Sequence, residues 1–269
     1  MSQMDSCGAQ PTHTQTTTNM IPLDIMFVID RSGSMETMGD EVDKGFNTFV
    51  ATQQQAQKQN QRTVRLTTVA FDDEVEIVHD RIDITKVPLA DDKTFEPRGM
   101  TALFDAVGKA IVMVNTIHKQ SGPSQVIVAI LTDGEENSST RVSKRKFNQI
   151  IQRKRKEGWE FVFLAANQDA IRVGGQLGFN LSSCLTYGAD ETSCRNMMGV
   201  FSQQVQRSIS VPNSQIEFSK IDRQVSIQGP AVNNRTSATT QPILEENHDS
   251  FECSQLPEES SNDIFAALP

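Results

Sequence analysis

Leu23-Asp24-Ile25-Met26-Phe27-Val28-Ile29-Asp30-Arg31-Ser32-Gly33-Ser34 is the stretch that decides the fold. Its first seven residues are almost continuously apolar, which marks a strand buried on both faces. The run stops at once on acidic and hydroxyl residues. Two more segments read the same way. Gln125-Val126-Ile127-Val128-Ala129-Ile130-Leu131 ends at Thr132-Asp133-Gly134, and Glu160-Phe161-Val162-Phe163-Leu164-Ala165 is a third buried strand.

Between the strands the apolar period lengthens to three or four. Met35, Met38, Val42, Phe46 and Phe49 predict one amphipathic helix. Leu103, Phe104, Val107, Ile111 and Val114 predict a second, stopped near Ser121-Gly122-Pro123. Residues 141–156 form a third, and shorter helices are expected around 168–176 and 190–208. Residues 63–71 are β-branched and alternating, and Asp72-Asp73 offers a turn into a returning strand over Val75–Val78. Residues 81–98 read as irregular, and Gly174–Gly178 as a loop with helix-end glycines. Strand and helix in this alternation predict a doubly wound, Rossmann-like α/β domain. Its sheet is mainly parallel, flanked by helices on both faces, with one antiparallel edge strand.

The folded part is expected over residues 21–209. Residues 1–20 are rich in Thr, Gln and Ser and read as a disordered N-terminal segment. Residues 210–269 read as an acidic, largely disordered tail, with isolated apolar groups at Ile216-Glu217-Phe218, Ile243-Leu244 and Ile264-Phe265 that could serve as partner-binding motifs. The chain carries 25 Lys+Arg and 34 Asp+Glu among 269 residues, a net charge of -9. Residues 21–210 hold 24 of the acids and 22 of the bases, so that part is near neutral, while residues 211–269 carry nine acids and three bases. The overall sign argues against attraction to nucleic acid or anionic membranes.

No stretch approaches the roughly 20 apolar residues of a membrane span, and the N-terminus has no secretory pattern. The four cysteines are scattered and form no C-x-x-C pair, which removes the common zinc and thioredoxin readings. Asn137-Ser138-Ser139 fits a glycosylation sequon, where a glycan would obstruct the neighbouring face. The expected location is intracellular, in the cytoplasm.

Ligand sites of open α/β sheets lie outside the carboxyl ends of the strands. Asp30, Ser32 and Ser34 follow the first buried strand, Asp133 follows the second, and Thr101 sits in Gly99-Met100-Thr101-Ala102-Leu103 at a helix start. Two carboxylates and three hydroxyls are hard oxygens, which suit Mg²⁺, Mn²⁺ or Ca²⁺. The alternation D-x-S-x-S lets a tight loop turn three side chains to one point, with Gly33 giving the backbone room.

Asp30-Arg31-Ser32-Gly33-Ser34-Met35 resembles the D-x-S-x-S-M metal motif of von Willebrand factor type A domains. Thr101 in GMTAL and Asp133 in LTDGEEN resemble the second and third elements of that family's metal-ion-dependent adhesion site. The resemblance covers about residues 22–208. It implies Mg²⁺ held directly by Ser32 and Ser34, mainly through water by Asp30 and Asp133, and by Thr101 either way. It further implies a non-enzymatic adhesion or adaptor module whose metal bridges to an Asp or Glu of a protein partner. Arg31, Met35, Met100, Glu135 and Glu136 are expected at the rim of that contact.

The sequence leaves two other classes open. A metal-dependent hydrolase or nuclease would need Glu135 or Glu136 as base. A nucleic-acid-associated scaffold would use the eight bases between Arg141 and Lys156, for which a solvated helix face is the preferred account. The histidines show no ligand spacing, and neither a G-x-S-x-G elbow nor a Walker A sequence is present.

Overall fold

The computed structural model describes residues 20–166 and 168–228, with 117–121 and 228 described by their backbone alone. Six strands form one sheet: β1 (Leu23–Asp30), β2 (Val64–Phe71), β3 (Val75–Asp83), β4 (Gln125–Thr132), β5 (Glu160–Ala166) and β6 (Cys184–Tyr187). Their order is β3-β2-β1-β4-β5-β6. All neighbours are parallel except β2 and β3, which pair antiparallel at the edge. This is the expected doubly wound sheet. The helices are α1 (Glu41–Asn60), α2 (Leu103–Ser121), α3 (Lys144–Lys156), α4 (Ala170–Leu177), α5 (Glu191–Ser210) and α6 (Lys220–Gln228).

The apolar run of β1 is continuous because both faces are covered. Side chains alternate across a strand. Leu23, Ile25, Phe27 and Ile29 therefore enter one core with α1 and α5, while Met26 and Val28 enter another with α2, α3 and α4. Phe27 lies 5.4 Å from the ring of Phe49 and 5.3 Å from that of Phe201, centroid to centroid. These contacts clamp α1 and α5 onto β1 and fix the height at which Asp30 emerges. The one polar residue inside β1, Asp24, is buried and ion-paired with Arg81 at 3.1 Å.

Several elements differ from the expectations. The first helix is broken: a 3₁₀ turn over Gly33–Met38 precedes α1. The antiparallel strand runs on to Asp83, through residues expected to be irregular. Gly174 and Gly175 lie inside α4, and only Gly178 is a helix-end glycine, at φ 93°. A sixth strand, β6, is added at the far edge.

The folded part also extends past 209. Ile216 is fully buried and Phe218 is 5% exposed, both in the α1–α5 core. Arg223 Nη1 donates to the Cys184 carbonyl at 2.6 Å, and Ser226 Oγ to that of Thr186 at 2.8 Å, so α6 lies against β6. The expectations for residues 1–19 and 229–269 lie outside the described residues. No helix among the described residues is long and apolar enough to cross a membrane.

Candidate metal centre

The carboxyl ends of β1 and β4 are adjacent, at the point where the sheet's connections leave in opposite directions. Crevices open at such points. Asp30 is the last residue of β1 and is fully buried. Its Oδ1 accepts from the Ser32 backbone N–H at 2.7 Å and its Oδ2 from Thr132 Oγ1 at 2.6 Å. Beyond it the hydroxyls of Ser32 and Ser34 stand 3.2 Å apart, and Ser34 Oγ donates to Asp133 Oδ1 at 2.6 Å. Ser34 is exposed, so the group opens to solvent.

Thr101 arrives from the other side. Its N–H donates to Asn137 Oδ1 at 2.9 Å, and its carbonyl accepts from the N–H groups of Asn137 and Ser138 at 3.0 and 3.2 Å. A β-carbon placed on Gly134 would stand 3.2 Å from Thr101 Oγ1 and 3.5 Å from Ser34 Oγ. Both hydroxyls therefore border one small space that Gly134 leaves clear. The structure thus brings together all five residues singled out in the sequence.

The electrostatics are unusual. Burial raises the Asp30 carboxyl to about 6; hydrogen bonds from Thr132 and Ser32 oppose this, and the nearby Asp133 adds to it. Burial also raises Asp133, against the hydrogen bond from Ser34. Among the described residues neither carboxylate has an ion pair, and Asp133 Oδ2 is buried with no hydrogen-bond partner. Uncompensated carboxylates in a site walled by oxygens are costly. A hard cation would satisfy them, so the residues present fit a divalent ion. Among the described residues no group of three or more His, Cys, Asp or Glu could hold a metal; the candidate centre has two carboxylates and relies on hydroxyls for the rest.

Three rim expectations are corrected. Arg31 is 5% exposed and turns away from the centre, pairing with Asp72 at 2.9 Å and Glu76 at 2.6 Å. Met35 is 1% exposed, because the 3₁₀ turn points it into the core. Glu136 closes the start of α2: its carboxylate accepts from the N–H groups of Phe104, Ser138 and Ser139 at 2.9, 2.9 and 2.7 Å, and from Ser139 Oγ at 2.7 Å. Those bonds occupy the lone pairs that a general base would need. Met100 and Glu135 remain exposed beside the centre. Gly33 has an ordinary backbone, its N–H donating to the Gly99 carbonyl at 3.2 Å, and the residue needing a left-handed conformation is Gly99, at φ 67°.

Other contributors went unread in the sequence. Thr132 orients Asp30, and Asn137 orients Thr101. Buried Asp72 gathers Arg31 and Arg98, the latter at 2.8 Å, tying the ends of β1 and β2 to the Thr101 loop. A signal existed for Glu136: Ala102 at the cap position of α2 has no side-chain oxygen, so the first N–H groups of the helix needed an outside acceptor.

No family model matches the chain, and no curated protein matches it. Solved structures do. The open conformation of the pilus adhesin SpaC from Lactobacillus rhamnosus GG aligns with a TM-score of 0.52 at 18% identity, over 71% of this chain and 30% of that one. A von Willebrand factor type A structure from Catenulispora acidiphila gives 0.44 at 15%, over 69% and 43%. Proximal thread matrix protein 1 from the mussel byssus, with a zinc-occupied metal-ion-dependent adhesion site motif, gives 0.48 at 16%, over 69% and 46%. The chain spans less than half the length of each. The likeness to SpaC is one of fold.

Proposed function

We propose that this protein is a divalent-cation-dependent protein-binding module of adhesion or adaptor type. Asp30, Ser32, Ser34, Thr101 and Asp133 would hold the ion, Mg²⁺ first, with Mn²⁺ or Ca²⁺ also suited to these ligands. The observation that carries the reading is the pair of buried carboxylates, Asp30 and Asp133, with no cationic partner among the described residues and hydroxyls as their neighbours. An ion bound there would supply a Lewis-acidic position for a carboxylate of a partner protein.

The chain's own residues support that role. Thr132 and the Ser32 N–H hold Asp30 with both oxygens engaged, and Asn137 fixes the Thr101 loop. Ser34 lies at the solvent side, where a partner would approach. A binding role asks for no general base; of the two carboxylates that could serve as one, Glu136 is committed to four hydrogen bonds, while Glu135 stands exposed.

Chelator-stripped protein should gain thermal stability with Mg²⁺ or Mn²⁺. At a hundredfold excess over Kd the gain is about 3 kcal/mol, or roughly 5–10 °C in a domain of this size. Asp133→Ala should abolish the gain, and an equal gain in wild type and variant would refute the assignment. Affinity purification would then identify partners as the proteins lost on both EDTA treatment and Asp30→Ala.

A further inference from the structure

Asp30, Ser32, Ser34 and Asp133 stand at or just past the ends of β1 and β4, which pair directly, Ile29 beside Leu131. The sheet itself fixes their spacing. Thr101 is different. It belongs to the irregular chain 87–102, between the 3₁₀ turn Ile84–Lys86 and α2. The place of its hydroxyl relative to Ser34 is therefore set by whatever anchors that loop.

Asp72 is the anchor that reaches both sides. It directly follows β2 and is 1% exposed. Its Oδ2 accepts from Arg31 Nε at 2.9 Å and from Arg98 Nε at 2.8 Å, and its Oδ1 accepts from the Glu74 N–H at 2.6 Å. Its carbonyl accepts from the Ala102 N–H at 2.8 Å. Arg31 stands between Asp30 and Ser32, and Arg98 stands just before Gly99-Met100-Thr101. One carboxylate thus joins the two loops that carry ligands. The backbone makes the same join: the Arg98 N–H donates to the Arg31 carbonyl at 2.7 Å, and the Gly33 N–H to that of Gly99 at 3.2 Å. Burial pushes the Asp72 carboxyl up, but the hydrogen bonds from Arg98 and the Glu74 N–H and the Arg31 charge more than offset it, holding it below the ordinary range. Asp72 is a fixed anion between two cations, and charge-assisted hydrogen bonds of this kind are short and strong.

Such a brace matters most to a small ion. Mg²⁺ demands near-octahedral geometry with bonds of about 2.1 Å, whereas Ca²⁺ accepts irregular shells with bonds of about 2.4 Å. The space between the Thr101 and Ser34 hydroxyls is small, since a β-carbon on Gly134 would already stand 3.2 and 3.5 Å from them. A Thr101 loop free to drift would cost Mg²⁺ more than Ca²⁺.

We propose that Asp72, acting through Arg98, is a positioning residue that holds the Thr101 loop at the spacing Mg²⁺ requires and so sets the discrimination against Ca²⁺. Neither side chain belongs to the candidate ligand set. The inference rests on the metal reading of the centre.

The test is calorimetric titration of the chelator-stripped full chain with Mg²⁺ and, separately, with Ca²⁺. Arg98→Gln is the main variant, because its side chain is 54% exposed and the fold does not depend on burying it. Asp72→Asn is run beside it; it leaves buried Arg31 short of an anion and can cost the fold, so the test does not hang on it. Arg195→Gln is the control. It breaks a like pair, with the buried Glu41 at 2.6 Å, that joins α5 to α1 and touches neither ligand loop. Removing a cation changes the attraction of both ions alike, so the ratio of the two affinities isolates geometry. In the wild type Mg²⁺ should bind more tightly than Ca²⁺. Arg98→Gln should lower the Mg²⁺ to Ca²⁺ affinity ratio about tenfold, in the range found when groups that orient metal ligands are removed. Arg195→Gln should lower the melting temperature and leave the ratio unchanged. An unchanged ratio in Arg98→Gln, an equal fall in Arg195→Gln, or tighter binding of Ca²⁺ by the wild type would overturn this inference alone. Absence of heat with either ion in the wild type would refute the metal reading, and this inference with it.

Discussion

At the scale of single residues the account rests on Asp30. Its carboxyl is raised to about 6 by burial, so the folded chain holds that proton more tightly than the unfolded chain does. The resulting stabilisation is complete below about pH 4 and is lost as pH rises through about 6. Metal-free protein is therefore weakened at pH 8 by up to about 3 kcal/mol at this one group, and Asp133 adds in the same direction. Asp30→Asn, which cannot ionise, should stabilise the metal-free chain at pH 8 by roughly 1–3 kcal/mol and leave it nearly unchanged at pH 4. Urea midpoints of the two proteins across this range would check it; parallel curves would contradict it. Protons and a cation compete for the same oxygens, so the thermal gain from Mg²⁺ should fade below pH 6. The five candidate residues stand out in the sequence because they follow buried strands or open a helix, where open sheets place ligand sites. Arg31 was misread because its direction is set by Asp72, 41 residues away.

At the scale of elements, long buried strands and regular helices announced themselves, and the pieces at the β6 edge did not. β6 has only four residues, Cys-Leu-Thr-Tyr, too few to show a period. The sequence around α6 is polar, and what holds it is a pair of distant anchors, Ile216 and Phe218, in a core built by α1 and α5. Phe218→Ala should cost about 3 kcal/mol, and a chain ending at residue 210 should lose cooperative unfolding while one ending at 228 keeps it. Equal denaturant transitions for the two truncated chains would contradict the role given to α6. Gly174 packs α4 against β6 so closely that a β-carbon there would lie 2.4 Å from Cys184 Sγ, itself fully buried. Gly174→Ala should lower stability by about 1–2 kcal/mol despite the better helix propensity of alanine, read as a fall in melting temperature.

At the scale of the whole molecule, charge is unevenly distributed along the chain. The net -9 is concentrated outside the near-neutral sheet region. The basic stretch at α3 is partly spent on its own surroundings. Lys154 is 4% exposed, bonds Asn115 at 2.6 Å and lies over the Trp159 ring; Arg155 bonds the Gly178 carbonyl at 2.8 Å; Arg153 pairs with Glu157 at 3.2 Å. Reversing the exposed Arg145 and Lys156 should therefore leave partner capture unchanged, whereas EDTA should remove it; the opposite pattern in parallel affinity purifications would favour a polyanion-binding scaffold. The most direct measurement is isothermal titration of the chelator-stripped full chain with Mn²⁺ and Mg²⁺, wild type beside Asp30→Ala and Ser34→Ala. The account predicts saturable, single-site heats in the wild type that both substitutions abolish while the far-ultraviolet spectrum is kept. Equal heats in all three proteins, or none in the wild type, would contradict it.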